Sequence, residues 1–560
     1  MTMAHRPRMA DNYTPKLFTV LSERYGLRDL RADALAGLTV AIVALPLSMA
    51  IAIASGVGPE RGLFTAIVGG FLVSALGGSR YQIGGPAGAF IVLVAATVHQ
   101  HGVDGLVLAT LLSGLMLAAV GALRLGSFIR YIPYPVTVGF TAGIAAIILA
   151  SQIRDLLGLT LSGPEPGELA PKLAALAQAL PTASWPAVAV GALSIGVILG
   201  LKRWRPHWPG MLVAVVVASV AAIALGLPVE TIGSKFGGIP RGLPAPHLPP
   251  VDLAKIQAVL PAALSFTLLG SIESLLSAVV ADSMSGRRHR SNMELMAQGA
   301  ANVGSAFFGG IPVTGTIART ATNVRAGARG PVAGMLHSAF LLTFMLVAAP
   351  LAGYIPLAAL AGVLALVAWN MAEKHEFATL IRASKGDAAV LLTTFGLTIF
   401  KDLSTGIVAG FSLGALLFIH RMSTTVGVQA GAGEEDDRGY AEGLVGDRDV
   451  AVFRISGAFF FGAASAVSTA LDRIGEHPKA YVLDVSDVPL LDSTAAASLA
   501  SFVRNAGRHG ARVYVAGAGR EVRRALLRHG VRPPLARFRS NVEHAVASAR
   551  ARIAGEADSD

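Results

Sequence analysis

The chain is a succession of apolar segments, and most of them are long enough to cross a lipid bilayer as a helix. A helix of about 20 apolar residues spans a hydrocarbon core of about 30 Å. Seven segments precede a Pro- and Gly-rich connection at 227–251 and seven follow it, at 34–54, 63–76, 87–98, 103–122, 135–153, 187–201, 210–225, 256–280, 295–308, 314–326, 331–349, 357–369, 388–399 and 405–419. Charged residues make up only 14% of the chain. We therefore predict a polytopic all-α membrane protein with 14 transmembrane segments in a domain over 32–422.

The number of segments in each half determines how the halves are related. Seven is odd, so the second half starts from the opposite side of the bilayer, and the halves are predicted to be inverted repeats over 32–226 and 256–422. Lysine and arginine collect mostly in every second connection, as expected when cytoplasmic loops retain positive charge. This pattern places the N-terminal segment 1–31 in the cytoplasm. It predicts a multi-pass protein of a bacterial-type plasma (inner) membrane with both termini cytoplasmic.

The third and tenth segments are short, and each begins at an interruption rich in glycine and proline, at 84–89 (GGPAGA) and 309–316 (GGIPVTGT). Irregular backbone at membrane depth survives only where protein or a water-filled cavity covers it, and paired broken helices are typical of transporter sites. If the two helix starts face each other, their N–H groups and dipoles favour an anion. The predicted contributors are Ala87, Gly88, Ala89, Thr314, Gly315 and Thr316. Alternatively, the glycines only allow tight helix packing.

Two charged residues fall inside predicted segments near these interruptions. Arg319 lies five residues into the tenth segment, where a cation is costly enough to suggest that it draws in or balances the anion. Glu273 is the only carboxylate in the eighth segment, and Ser277 lies one turn further on the same face. A low-dielectric site favours the protonated form of a carboxyl group, so Glu273 is predicted to exchange the coupling ion, a proton or sodium. The alternatives are an ion pair between Glu273 and Arg319 and, for Arg319, a snorkelling side chain.

The last part of the chain has the pattern of a small soluble domain. A linker at 423–446 contains the acid-rich sequence GAGEEDD, and alternating apolar strands at 450–455, 480–484 and 512–516 are each followed by a helical pattern. This order predicts a cytoplasmic α/β domain over 447–555 with a parallel sheet. Ser493 or Thr494 begins one helix, either as a plain N-cap or as a regulatory phosphosite.

Several classes of function are disfavoured by the sequence. The net charge of +11 is carried mostly by loops and the tail, where membrane topology explains it, so nucleic-acid binding is not expected. An ATP-driven pump is disfavoured because the chain has no G-x-x-x-x-G-K-[ST] loop. With no cysteine, the chain has no thiolate nucleophile and no cysteine metal site. We expect neither an enzyme nor a protein with a metal or cofactor.

Motifs distributed over nearly the whole chain are similar to those of one known group of transporters. They are AGLTV at 36–40 followed by Leu45-Pro46, the stretch from Gly84 to Phe90, IESLLS at 272–277, GIPVTG at 310–315, RTATN at 319–323, and the pattern from Val485-Ser486 to Asp492-Ser493-Thr494. Together they resemble the sulfate permease (SulP) anion transporters with a C-terminal STAS domain. The resemblance implies a fold of 14 spans in two inverted repeats, divided into core and gate domains. It also implies a homodimer that moves anions by an elevator-like rearrangement.

The resemblance also bears on individual residues. It places Arg319 beside the anion site, and in related sodium-driven transporters the positions matching Glu273 and Ser277 bind the cation. The residues predicted to bind substrate are then Ala87, Gly88, Ala89, Phe90, Thr314, Gly315, Thr316, Arg319 and Ser48.

The first segment departs from many sulfate-specific relatives. They have glutamine after the proline, whereas this chain reads Leu45-Pro46-Leu47-Ser48 and offers Ser48 as its main polar group. This resembles bacterial members proposed to carry dicarboxylates or other anions, and sulfate, C4-dicarboxylate, bicarbonate and chloride all stay open. We expect proton-coupled symport of sulfate or a dicarboxylate. The alternatives are sodium-coupled bicarbonate transport, anion exchange and a channel-like conductor; a membrane-tethered signalling protein, whose STAS domain binds a cytoplasmic partner, is the least favoured.

Overall fold

The computed structural model describes residues 13–557 except 128–131, 164, 167–168, 207, 402, 425–426, 431–448 and 461–477. The chain divides into two units, Met1–Phe411 and Ser412–Asp560. In its described residues the first unit is built of helices, and the second contains a five-stranded sheet.

Most helices before the sheet lie at the predicted apolar segments, and four short ones, at 16–22, 169–179, 232–236 and 374–383, lie outside them. In chain order the helices are α1 (Lys16–Ser22), α2 (Leu27–Ala54), α3 (Pro59–Phe64), α4 (Gly70–Leu76), α5 (Ile91–Ala122), α6 (Tyr134–Leu157), α7 (Leu169–Ala179), α8 (Trp185–Trp204), α9 (Gly210–Ala224), α10 (Ile232–Phe236), α11 (Leu253–Ser285), α12 (Ser291–Phe307), α13 (Ile317–Arg325), α14 (Val332–Ala352), α15 (Leu357–Met371), α16 (Lys374–Ala383), α17 (Lys385–Phe400) and α18 (Leu403–Thr424). Two two-residue strands, β1 (Gly84–Gly85) and β2 (Thr314–Gly315), interrupt them. Eight helical segments in the described part of the chain are long and apolar enough to cross a membrane. The exact number of 14 spans stays a prediction.

The predicted third and fourth segments meet at a break in α5. Gly102 has φ of 69° and ψ of −176°, which is not helical geometry, so α5 consists of two helices joined by a kink at this residue. Glycine adopts this positive φ without a steric penalty. The predicted boundary between 87–98 and 103–122 therefore lies at the kink, although residues 99–101 are helical and do not form a loop.

Helix packing repeats between the two halves. α2 packs against α14, and the helices at the matching places in the other half, α11 and α5, also pack together. In the same way α4 packs on α14, and α12 packs on α5. Exchanging the halves therefore reproduces the packing, as expected for the repeats predicted from the sequence.

These helices form two bundles within the first unit. One bundle contains α2, α4, α5, α11, α12, α13 and α14, and the other contains α6, α8, α9, α15 and α17. Buried apolar side chains continue from one bundle to the other through Phe140 and Ile148 of α6 and Leu360 of α15. The interruptions at 84–89 and 309–316 belong to the first bundle, close to this boundary.

The second unit has the predicted strands and two additional ones, one at each edge of the sheet, and the helix predicted after the first strand lies outside the described residues. Its strands are β3 (Gly427–Ala430), β4 (Val450–Ser456), β5 (Ala480–Asp484), β6 (Arg512–Ala516) and β7 (Ala536–Arg539), and its helices are α19 (Ser493–Arg508), α20 (Arg520–Arg528) and α21 (Val542–Ala557). The sheet order is β3-β4-β5-β6-β7, in which β3 is antiparallel to β4 and the other neighbours are parallel. The predicted linker at 423–446 thus contains one strand of the sheet, while its acid-rich sequence at 431–437 lies outside the described residues.

Candidate functional site

The two interruptions lie against each other at the centre of the first bundle. β1 and β2 pair in antiparallel fashion, so that Gly84 lies opposite Gly315 and Gly85 lies opposite Thr314. All four residues are buried. The structure therefore brings together the two segments that come from opposite halves of the chain, and we refer to this pair of strands as the crossing.

Glycine is required at the crossing because neighbouring side chains fill the space beside its backbone. A Cβ atom on Gly315 would lie 1.6 Å from Nε2 of Gln82. A Cβ atom on Gly85 would lie 2.1 Å from Nη1 of Arg319. Both distances are far below van der Waals contact, so only glycine lets the amide and the guanidinium group lie directly on the backbone.

Two helices begin directly after the crossing. Gly88–Phe90 forms a 3-10 turn that leads into α5, and α13 begins at Ile317 with Thr316 as its N-cap. The first N–H groups of a helix have no partner within the helix, and they carry the positive end of its dipole. The N–H of Thr316 donates to the carbonyl of Ile83 at 3.0 Å and is therefore occupied. The prediction that the N–H of Thr316 is unpaired is therefore wrong. In the second half of the chain, the N–H groups left for a ligand are those of the first turn of α13.

The start of α5 faces the second bundle. Ala87, Ala89 and Phe90 are buried, whereas Gly88 is partly exposed. A Cβ atom on Gly88 would meet Sδ of Met371 at 3.5 Å and Cδ1 of Ile148 at 3.7 Å. The small residues at the start of α5 therefore face apolar side chains of the other bundle. The hydroxyl of Thr314, in contrast, donates to the carbonyl of Gly270 at 3.3 Å.

Arg319 is a buried cation at the crossing, with 1% of its surface exposed. Its Nη2 donates to Oγ of Ser48 at 3.1 Å and to the carbonyl of Pro86 at 3.3 Å, while Nε and Nη1 have no partner. No carboxylate among the described residues pairs with it. A buried charge normally has a counter-ion or full hydrogen bonding, so the free N–H groups of Arg319 are suited to an anion.

Ser48 lies behind the guanidinium group rather than free in the site. It is fully buried, and its hydroxyl donates to the carbonyl of Ala44 at 2.6 Å while accepting from Arg319. Both hydrogen-bonding roles of this hydroxyl are therefore used within the protein. In this structure Ser48 orients Arg319, and it acts on a ligand only through that side chain.

Glu273 makes no hydrogen bond and no ion pair with the other residues that the structure describes. It lies on α11 and is partly exposed, in contrast to its buried neighbours Ile272 and Ser274. The predicted ion pair with Arg319 is absent from the described contacts. Its carboxyl group therefore has no protein partner among the described residues.

Ser277 takes part in a buried hydrogen-bond relay. Its hydroxyl donates to Oγ1 of Thr320 at 3.0 Å, and Thr320 also accepts the N–H of Ile83 at 3.1 Å. The relay joins α11 to α13 and to Ile83, the residue before β1. Ser277 is thus engaged in holding these elements together, although it stays one turn from Glu273.

A polar stripe on α12 holds both interruptions in place. Asn302 accepts the N–H of Val313 at 2.9 Å and donates to its carbonyl at 2.8 Å, immediately before β2. One and two turns earlier, Gln298 donates to Glu294 at 3.0 Å, and Glu294 accepts the N–H of Ser79 at 2.9 Å. The four-residue spacing of these polar residues in an apolar segment is the sequence signal of such a ladder.

Gln82 is a buried polar residue that the sequence reasoning overlooked. Its Nε2 donates to Oγ of Ser274 at 3.0 Å, and its Oε1 has no partner. It lies two residues before β1 and packs on Gly315. The available signal was a single amide side chain just before the first interruption.

In the second unit, the residue that caps α19 is Asp492. Its Oδ1 accepts the N–H of Ala495 at 2.8 Å, so neither Ser493 nor Thr494 is the N-cap. The capping prediction was therefore one residue out of register. Ser493 and Thr494 are both exposed in the first turn of the helix.

Family models match most of the chain. The model described as the sulfate permease family matches residues 30–394, and the STAS domain model matches residues 444–545. The first match contains every residue of the crossing, together with Ser48, Glu273 and Arg319. The second contains β4 to β7 and α19.

Curated relatives and solved structures agree with these matches. The chain is 38% identical to the putative sulfate transporter YvdB of Bacillus subtilis, over 90% of this chain and 95% of the relative. It is 32% identical to the bicarbonate transporter BicA of Synechocystis, over 90% and 91% of the two chains. The murine solute carrier 26 family member A9 anion transporter, in its inward-facing state, shares the fold with a TM-score of 0.85 at 19% identity, over 98% and 96% of the chains. The solved transmembrane domain of BicA from a cyanobacterium is 30% identical, with a TM-score of 0.61, over 70% and 98% of the chains. The protein is therefore a multi-pass membrane protein of the sulfate permease family with a C-terminal STAS domain.

Proposed function

We propose that this protein is a secondary active transporter of a small anion of the sulfate or dicarboxylate class, coupled to protons. The anion binds at the crossing, between the starts of α5 and α13. The donors are the N–H groups of Ala87, Gly88 and Ala89 and those of the first turn of α13, because the N–H of Phe90 already donates to the carbonyl of Ala87. Arg319 supplies the charge. Gly315 and Thr314 shape the backbone of the site, and Ser48 orients the guanidinium group.

One observation carries this proposal: the guanidinium group of Arg319 is buried without a counter-ion among the described residues. Its Nη1 lies on Gly85, at the meeting point of the two interruptions. A buried cation without a counter-ion is strongly destabilising. An anion that accepts hydrogen bonds from Nε and Nη1 offsets this destabilisation. The positive ends of two helices add to the same field.

The coupling ion is a proton that binds to Glu273. This carboxyl group has no partner in the described structure and lies on α11, which packs against α13 and β2. A charge change at Glu273 therefore acts on the helix that carries Arg319. Ser277 supports the site through its bond to Thr320.

Transport proceeds by movement of one bundle against the other, in an elevator-like cycle. Both helix starts and Arg319 belong to the same bundle, while Met371 and Ile148, which face Gly88, belong to the other. The site can thus keep its geometry while the wall opposite it changes. By the positive-inside rule, both termini and the STAS domain are cytoplasmic, and the family resemblance supports a homodimer.

A second candidate is sodium-coupled transport of bicarbonate. The relatives named bicarbonate transporters share about a third of their residues with this chain, and Glu273 can bind sodium as well as a proton. A bicarbonate ion is planar and singly charged, so it would use fewer donors than sulfate or a dicarboxylate. Direct transport measurements separate the two candidates.

The test is uptake by proteoliposomes that contain the purified protein. Labelled sulfate, fumarate and bicarbonate are supplied with an inward proton gradient, an inward sodium gradient or neither. We expect sulfate or fumarate to accumulate above its electrochemical equilibrium only with the proton gradient. We expect Arg319→Ala to abolish this accumulation, whereas Arg325→Ala, which removes an exposed arginine from the same helix, leaves it near the wild-type level.

Each other outcome points to a different function. Bicarbonate accumulation that requires sodium supports the second candidate. Anion flux that never exceeds equilibrium identifies a channel-like conductor, and obligatory counterflow identifies an exchanger. Absence of any flux, with a cellular phenotype that is lost when the residues after 431 are deleted, would favour a signalling role for the STAS domain.

A further inference from the structure

One face of α20 is almost entirely cationic. Arg520, Arg523, Arg524, Leu527 and Arg528 follow the spacing i, i+3, i+4, i+7 and i+8, which places them on one side of a helix. They line a shallow open groove on the surface of the second unit. We refer to these five residues as the arginine face.

The arginines of this face are not paired in the described part of the chain. None of the four forms an ion pair there, and the one acidic residue of α20, Glu521, lies at the edge of the face, three residues before Arg524, without an ion pair of its own among the described residues. The only ring contact of these arginines is that of Arg523, whose guanidinium carbon lies 5.3 Å from the centre of the Phe538 ring. Over 478–557 the domain has 13 Lys and Arg residues and 6 Asp and Glu residues, so the field around the face is positive.

The helix holds this face outward. Val522 and Leu526, on the opposite side, are 3% and 0% exposed and belong to the core of the domain. Leu527, between the arginines, is 39% exposed. The face therefore combines an exposed apolar side chain with several arginines. Helices that lie at a membrane interface have this combination.

We propose that the arginine face binds the anionic phospholipid surface of the bilayer in which this chain resides. Each arginine near such a surface gains attraction for phosphate groups, and Leu527 inserts among the lipid chains below them. The chain also provides proximity, since β3 begins three residues after the end of α18. The membrane helices of the same chain thus tether this domain to the bilayer. The effective concentration of lipid is therefore high, and a weak affinity for each lipid is sufficient.

Other anionic partners fit this face less well. A nucleotide needs a surface for its base, and the aromatic ring beside the face, that of Phe538, already lies under the guanidinium group of Arg523. A free phosphate ion would leave Leu527 in water. An acidic protein surface can match the charge, and it forms a separate outcome of the test.

The absence of cysteine from the chain makes a site-specific reporter straightforward. The full-length Leu527→Cys protein is labelled with a polarity-sensitive fluorophore and reconstituted in nanodiscs of phosphatidylcholine alone or with about 30% phosphatidylglycerol. We expect a blue shift of the emission only with phosphatidylglycerol, reversed by about 0.5 M salt. The pair Arg524→Gln and Arg528→Gln should lower membrane occupancy at least about tenfold.

The matched control removes an equally spaced pair of exposed arginines from α19, Arg504→Gln and Arg508→Gln. This control has the same net charge and should keep the blue shift. The proposal is overturned if the emission is the same in both lipid compositions, or if the two double variants lose the shift equally. It is also overturned if only ATP or only an added acidic protein, such as a polyglutamate-tagged carrier, changes the emission.

Discussion

Nη2 of Arg319 donates to the hydroxyl of Ser48 across 3.1 Å, although 271 positions separate the two residues in the sequence. The hydroxyl in turn donates to the carbonyl of Ala44. This chain of two hydrogen bonds fixes one end of the guanidinium group and leaves its other N–H groups free. It links the first apolar helix of one half to the broken helix of the other.

Replacement of Ser48 by alanine should weaken anion binding without abolishing it. The guanidinium group loses one orienting hydrogen bond, which is worth about 1 kcal/mol and corresponds to about a fivefold rise in the anion Kd. Isothermal titration with sulfate or fumarate measures this change. The control is Ser55→Ala, because Ser55 is also buried and donates to the carbonyl four residues earlier, but contacts no arginine. Equal effects in the two variants would contradict the orienting role of Ser48.

Replacement of Gly315 by alanine should distort the crossing. The new Cβ atom would overlap the Gln82 side chain, and relief of this overlap requires Gln82 to leave Ser274 or the strands to separate. Overpacking of this kind costs about 1–3 kcal/mol, so we expect uptake to fall about tenfold or more and the thermal midpoint to drop. Gly396→Ala on α17 is the control, since no atom lies within 4 Å of its added Cβ. A Gly315→Ala protein with normal uptake and thermal stability would show that the close approach is dispensable.

Glu273→Gln should separate binding from coupling. The amide keeps the size of the side chain but cannot exchange a proton, so gradient-driven accumulation is lost while anion exchange across the membrane persists. Labelled-anion counterflow and proton-driven uptake, measured on the same proteoliposomes, test this. If full proton-driven accumulation survives in Glu273→Gln, the coupling group lies elsewhere.

Asp492→Ala should destabilise the start of α19 by about 1 kcal/mol, because the N–H of Ala495 loses its capping acceptor. Ser493→Ala should have almost no effect. Hydrogen exchange of the first-turn amides of α19 in the full-length protein measures both. Faster exchange in Ser493→Ala than in Asp492→Ala would reverse the assignment of the cap.

The membrane helices could be located from the sequence because hydropathy is a property of each segment alone. Most predicted segments fall in a helix, from α2 at the start to α18 at the end. The second, at 63–76, covers α3, a π-helical turn and α4, and the tenth, at 314–326, begins in β2 before α13. The break at Gly102 lies where the sequence separates the third and fourth segments, but the helix before it continues through 99–101, where a loop was expected. β3 could not be predicted, because its place beside β4 depends on a partner strand about 25 residues further along the chain.

The candidate site could be predicted as a set of residues but not as a set of contacts. The two interruptions are recognisable because each combines glycine and proline at matching places in the halves. The hydrogen-bond partners of Arg319 could not be predicted in this way. Glu273 offers the opposite charge, but the guanidinium group contacts Ser48 and Pro86. Spacing within a helix identifies which residues share a face, whereas the choice of partner depends on how distant helices pack.

The antiparallel pairing of Gly84–Gly85 with Thr314–Gly315 has a consequence for how the protein can be divided. Each half of the chain contributes one strand and one helix start, so neither half contains the whole of the proposed anion site. A chain cut within 227–251 would yield two fragments that are inert when made separately. Transport would return only when the fragments assemble in the same membrane, and each reassembled protein would bind a single anion.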